Sequence, residues 1–130
     1  MMRLVCGLLI GLGLCGSAHA QLTEWSVWQN VRTSLLVVST IDTAKGTFIG
    51  TFINNAAGYR CKGFAVPITG KFAGGDVSFV ANFAPCDNTI TVWKGTVSGN
   101  TITADFDLWY VDDYKFVEIK DTDTFTKKWP

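Results

Sequence analysis

Hydrophobicity that alternates every second residue, cut at short intervals by turn clusters, restricts this chain more than any other feature. From Thr101 to Tyr110, the residues Ile102, Ala104, Phe106, Leu108 and Tyr110 share one parity, while Thr103, Asp105, Asp107 and Trp109 share the other. Period two sends successive side chains to opposite faces of a strand, so this segment reads as β-structure. Ser98-Gly99-Asn100 is a hairpin-type turn that joins it to a preceding strand over Ile90–Val97. Upstream, Asp42–Gly46 separates Ser34–Thr40 from Thr47–Asn54, and Ala73-Gly74-Gly75 separates Phe64–Lys71 from Asp76–Phe83. Glu24–Asn30 and a last strand ending near Lys127 bring the expected total to eight. No stretch carries a helical period, which leaves at most a helical turn around Asp112–Phe116. Eight short strands in series can form a sandwich or a closed antiparallel up-and-down β-barrel. The all-β barrel is the preferred reading, because closure removes the edge strands that invite aggregation. Eight strands also enclose room for one small ligand.

The first twenty residues stand apart from this pattern. Met1-Met2-Arg3 is a short positive start, Leu4–Gly16 is an apolar run, and Ala18-His19-Ala20 offers small residues where a signal peptidase reads. The run is shorter than the roughly 20 apolar residues a membrane span needs, and Leu14 before Cys15 argues against a lipid anchor. The expectation is a signal peptide over 1–20, cleaved after Ala20, and a secreted or periplasmic domain over 21–130. That length suits a single core. Removing Arg3 leaves ten basic against eleven acidic residues, a net charge of −1. Such a balance gives no electrostatic reason to expect nucleic acid or an anionic membrane as partner.

Cysteine and histidine usage narrows the function. Cys6 and Cys15 fall in the signal, so Cys61 and Cys86 remain and read as one disulfide of an exported domain. The sole histidine, His19, also falls in the signal. The mature chain therefore lacks the commonest general base and the commonest metal ligand, which argues against an enzyme and against a metal site.

Several strands carry polar groups on the face that their aromatics mark as inner. Asn30 goes with Trp28, Asn54 with Phe52, Thr91 with Trp93 and Asp123 with Phe125; Phe79, Ala81 and Phe83 share a face, as do Phe106 and Leu108. A single Asn or Thr near a strand end is usually bonded to backbone or water. A carboxylate such as Asp123 inside a barrel needs donors or a partner. Polar groups from several strands meeting in an aromatic-lined cup describe a ligand pocket. Spacing alone does not name the ligand.

Four segments carry a resemblance that does. Trp28-Gln29-Asn30-x-x-x-Ser34 resembles the first two strands of the avidin and streptavidin family, and Gly46-x-x-x-Gly50-Thr51-Phe52 resembles that family's Gly-x-x-x-Gly-Thr-Tyr segment. Thr89-Ile90-Thr91-Val92-Trp93-Lys94-Gly95 is similar to its sixth strand, and Asp123-Thr124-Phe125-Thr126-Lys127 to the end of its barrel. Together they span about residues 25 to 128, in the family's order. Cys61 and Cys86 sit as in the short, disulfide-bearing, rhizavidin-like bacterial avidins, with one extra residue between Cys86 and Thr89. The resemblance implies non-catalytic, high-affinity binding of biotin as a ligand, with no cofactor, in a homodimer whose disulfide holds a loop over the pocket. It casts Asn30 and Ser34 as donors to the ureido oxygen, and Asp123 and Asn54 as acceptors for the ureido N–H groups. It sets Thr91 toward the thioether sulfur and Thr89 near the valerate carboxylate, beside Ala56 and Ala57. Phe83 and Trp93 would flank the rings, with Phe106 beneath; Phe52 and Leu108 complete the biotin-binding set.

Departures from the family bear on affinity. Phe52 stands where relatives carry Tyr, removing one donor to the ureido oxygen at a cost of about 1 to 3 kcal/mol. Phe83 and Phe106 replace Trp, and Tyr114 is a poor match for the Trp that tetrameric avidins lend to a neighbour. The alternative reading is an exported small-barrel inhibitor or interaction protein, acting through loops and outer-face anchors such as Trp25, Trp109 and Trp129. A barrel for a different, apolar ligand is a third. Neither needs Asn30, Ser34, Asn54 and Asp123 to converge.

Overall fold

A computed structural model describes residues 22–130; the expected signal segment, with Cys6, Cys15 and His19, lies outside the described residues. The alternating segments become eight strands: β1 (Ser26–Asn30), β2 (Leu35–Asp42), β3 (Thr47–Ile53), β4 (Ala65–Ala73), β5 (Asp76–Asn82), β6 (Thr89–Ser98), β7 (Thr101–Asp112) and β8 (Lys115–Trp129). Each pairs antiparallel with the next, and β8 returns to β1, so the sheet closes as an up-and-down barrel. Strand limits differ from the sequence reading mostly by one or two residues, while β7 and β8 run further out together.

The last connection differs in kind. Instead of a helical turn near Asp112–Phe116, Asp112 pairs directly with Lys115 across a two-residue turn. Both central residues, Asp113 (φ 49°) and Tyr114 (φ 63°), are left-handed. That backbone twist matches the twist of the flanking strands, which favours a tight hairpin over a helical turn. Gly99 (φ 58°) opens the equivalent turn between β6 and β7, as Ser98-Gly99-Asn100 led one to expect.

Interior packing follows the alternation, and the ladder shifts register at two points, between Val27 and Trp28 against β8 and within β2. Leu36 and Val38 point inward from β2, after which a bulge between Val38 and Thr40 shifts the register and turns Ile41 toward the core. The extra residue of a bulge resets which parity faces in. Opposite it lies Gly50, where a Cβ would collide with the Val37 carbonyl. One end of the barrel is filled by Val38, Phe48, Ile68, Val77, Phe79, Val97, Ile102 and Phe125, all buried. Phe79 stacks on Trp93 at 4.8 Å, and Phe125 meets Phe79 edge-on at 5.8 Å. Such offset and edge contacts are the favourable aromatic geometries. The packed end leaves the interior open only toward the opposite mouth, where the polar groups gather.

Candidate functional site

The open half of the barrel holds a cavity of about 220 Å³. That is below the roughly 300 Å³ at which pockets for drug-sized ligands begin, so it suits a compact ligand. Its wall takes Asn30 from β1, Ser34 from the β1–β2 turn, Phe52 from β3, and Thr89, Thr91 and Trp93 from β6. Phe106 and Leu108 come from β7, Asp123 from β8, Phe83 from just beyond β5, and Asn54 and Ala56 from the loop after β3. Twelve of the thirteen residues given a place around the ligand from the sequence therefore border one space, and Ala57 does not. Trp28, also expected inside, is fully buried but lies outside this wall; its indole N–H donates to Ser26 Oγ at 2.9 Å.

Asp123 is the centre of the polar network, with its side chain only 2 % exposed. Oδ2 accepts from Asn30 Nδ2 at 3.0 Å and from Trp93 Nε1 at 3.2 Å. Oδ1 accepts the Thr124 amide at 3.1 Å and faces the Arg32 guanidinium at 3.7 Å. Burying a carboxylate is costly unless it is paired and hydrogen-bonded, and here it is both. The period-two strand places it: Asp123 and Phe125 turn inward from β8, opposite Ala104 and Ile102 of β7.

Asn30 and Ser34 are held in place by the turn between them. The Asn30 Oδ1 atom accepts the amides of Arg32 (3.0 Å) and Ser34 (2.9 Å), which fixes its amide group toward Asp123. Ser34 Oγ accepts the Asn55 amide at 2.9 Å and lies 3.4 Å from Asn54 Oδ1, which itself accepts the Ala56 amide at 2.9 Å. The Thr89 hydroxyl donates to Asp87 Oδ2 at 3.0 Å.

Two cavity residues escaped the sequence reading. Arg32 reaches in from the β1–β2 turn, with its guanidinium 5.4 Å over the Phe106 ring and 4.0 Å from Asp121. Its signal was present, since Asn30, Arg32 and Ser34 alternate, but the turn interrupts the strand there. Tyr59 leans edge-on against Phe83 at 6.1 Å and its hydroxyl lies 3.4 Å from Asp87 Oδ2. Burial, then the neighbouring Asp87 charge and this hydrogen bond, push the Tyr59 hydroxyl up to about 12. It is the only aromatic between Ile53 and Phe64, the one cue that could have found it. Cys61 and Cys86 are joined as expected, tying the Tyr59 loop to the segment before β6.

Among the described residues no group of three or more His, Cys, Asp or Glu side chains stands where it could hold a metal ion. The arrangement offers donors and acceptors fixed around a small apolar-walled cup, with aromatic faces beside them. A flat, polar-edged ligand is what such a cup can hold.

Comparison with known proteins bears on this geometry. No curated protein matches the chain. A solved bradavidin2–biotin complex is similar, with 37 % identity and a TM-score of 0.76, the match covering 83 % of this chain and 100 % of that one. Apo shwanavidin is 26 % identical with a TM-score of 0.71, over 85 % of this chain and 99 % of that one. A rhizavidin–biotin complex is 25 % identical with a TM-score of 0.72, over 81 % and 92 %. The family model described as "Avidin family" matches residues 18–127. With that match running through all eight strands of a closed barrel and every residue of its polar cup, the chain belongs to the avidin family.

Proposed function

We propose that the protein binds biotin, without catalysis, in the open half of its barrel, and that it does so as an exported homodimer. The observation that carries the reading is the convergence of Asn30, Ser34, Asn54 and Asp123 on one aromatic-walled cavity in a chain of the avidin family. Two of the similar solved structures are biotin complexes. An inhibitor working through its outer face has no use for that convergence, and no feature of the described surface favours it.

Roles follow from what each group has left to offer. The Asn30 amide spends one N–H on Asp123 and can turn the other to a ureido oxygen, which Ser34 can also meet by turning its one O–H away from Asn54 Oδ1. Asp123 and Asn54 act as acceptors for the ureido N–H groups. Thr91 faces the thioether, and Phe83, Trp93, Phe106 and Leu108 supply apolar contact. Thr89 and Ala56 stand near the valerate end, where Thr89, already donating to Asp87, contributes an acceptor and packing. Biotin is a ligand here and no cofactor is needed. Cleavage after Ala20 and export suit the disulfide, which forms and persists in oxidising compartments.

Thermal melting with and without biotin tests the reading. A ligand that binds only the native chain raises the melting point, by about 2.7 kcal/mol of stability at a hundredfold excess over Kd. A Tm unmoved by millimolar biotin would refute it.

A further inference from the structure

The chain's own groups already engage both oxygens of Asp123. Oδ2 holds the Asn30 and Trp93 N–H groups at hydrogen-bond distance, so the oxygen with an approachable side is Oδ1. That side faces Arg32 Nη1 at 3.7 Å. The separation is longer than a charge-assisted hydrogen bond, so the contact is Coulombic rather than directional. Arg32 is 42 % exposed, and water screens it on its outer side.

We infer that Arg32 gates this site as a positioning residue: its guanidinium covers Oδ1 of Asp123, and a ligand N–H reaches that oxygen by displacing it toward Asp121. The inference rests on the biotin-binding reading. Asp121 Oδ2 already lies 4.0 Å from Arg32 Nη2, and the guanidinium also rests over Phe106. A displaced Arg32 therefore keeps a carboxylate and an aromatic face, and gives up only its contact with Asp123. A ligand with a well-aimed N–H replaces a long Coulombic contact with a short hydrogen bond, whereas one without such a donor has nothing to offer Asp123. Arg32 thereby sets a threshold that favours urea-like ligands over merely apolar ones.

Biotin amide is the probe, because it carries no carboxylate that Arg32 could attract from a distance. Its affinity and association rate are measured on the wild type, Arg32→Leu, Arg32→Lys, and Arg32→Leu combined with Asp123→Asn. Arg32→Leu should bind about threefold to fivefold tighter and associate faster, the scale of one partly screened ion pair. Arg32→Lys keeps the charge and should stay within about twofold of the wild type. In the Asp123→Asn background the leucine substitution should change affinity by less than about twofold, since no carboxylate remains to uncover. Weaker or unchanged binding by Arg32→Leu overturns the gate. So does a gain that persists in the Asp123→Asn background, which would mean that leucine merely widens the mouth. A wild type that ignores biotin amide, and biotin with it, would overturn the biotin-binding reading and the gate together.

Discussion

Asp123 is nearly fully buried and accepts N–H groups from Asn30 and Trp93 on Oδ2 and from the Thr124 amide on Oδ1, which leaves one side of Oδ1 for a further donor. Asp123→Asn keeps the shape but weakens the acceptor, or turns an NH2 toward existing donors. Isothermal calorimetry should record at least a tenfold loss of biotin affinity, since a hydrogen bond to a charged group is worth about 1.5 to 3 kcal/mol. Asp121→Asn, at the exposed rim, should weaken binding by less than about threefold. Phe52 is the complementary case: it lines the cavity with its ring 4.8 Å from Trp93, and it brings no hydroxyl. Phe52→Tyr restores a donor and should tighten biotin by about tenfold. An unchanged Kd would mean that the ring edge does not face the ureido oxygen. Asp123 was readable from the sequence because its alternation with Phe125 is unbroken. Arg32 was not, because a turn separates it from its strand and only the folded chain brings it to within 3.7 Å of a residue 91 positions away.

The loop from 54 to 64 and the segment from 83 to 88 act as one element at the mouth. Cys61–Cys86 joins them, Arg60 Nη2 donates to the Cys86 carbonyl at 3.1 Å, and Tyr59 and Thr89 converge on Asp87. A bridge spanning 25 residues is credited with about 3.5 kcal/mol in the chain-entropy model. Cys61→Ser should lower the Tm by roughly 10 °C or more and speed biotin dissociation, both measurable by calorimetry and displacement kinetics. Tyr59 adds a pH signature. Its hydroxyl is raised from 10.0 to about 12, so it is protonated in folded and unfolded chains alike below pH 10. Its contribution is therefore full below pH 10. Above that the unfolded chain ionises first, and stability falls until the pH passes about 12. Denaturant titrations from pH 9 to 12 should show this decline, and Tyr59→Phe should flatten it.

At the scale of the whole molecule, apolar side chains gather outside the barrel at the far end of the longest hairpin. Tyr114 at its turn is 99 % exposed, and Val111 and Phe116 beside it are also exposed. Trp25 and Trp129, noted as possible anchors, are exposed too, whereas Trp109 is half-buried with its indole N–H on Glu118. A hairpin of this composition is suited to contact with a second copy, in keeping with the proposed dimer. Light scattering should return about two chain masses. Four, stable to dilution, would count against the dimer and against Tyr114 as a poor substitute for a shared tryptophan.

The sequence by itself determined the strand count, the antiparallel order and the inward parity. Alternation and turn residues are local properties, and a side chain's face follows from its neighbours two positions away. It also marked Asp123 as inward, because the same alternation carries Phe125. Tertiary structure alone decided three things. On the closed barrel that the sequence favoured over a sandwich, with β8 paired to β1 about a hundred positions away, the bulge after Val38 re-phases Ile41. The last turn became a tight hairpin because two paired strands fix its twist, where local composition left a helical turn open. The partners of Asp123 were decided last. Hydrogen bonds and ion pairs depend on distances between strands that carry no trace in spacing, so Asn30, Trp93 and Arg32 became its neighbours only when the barrel closed.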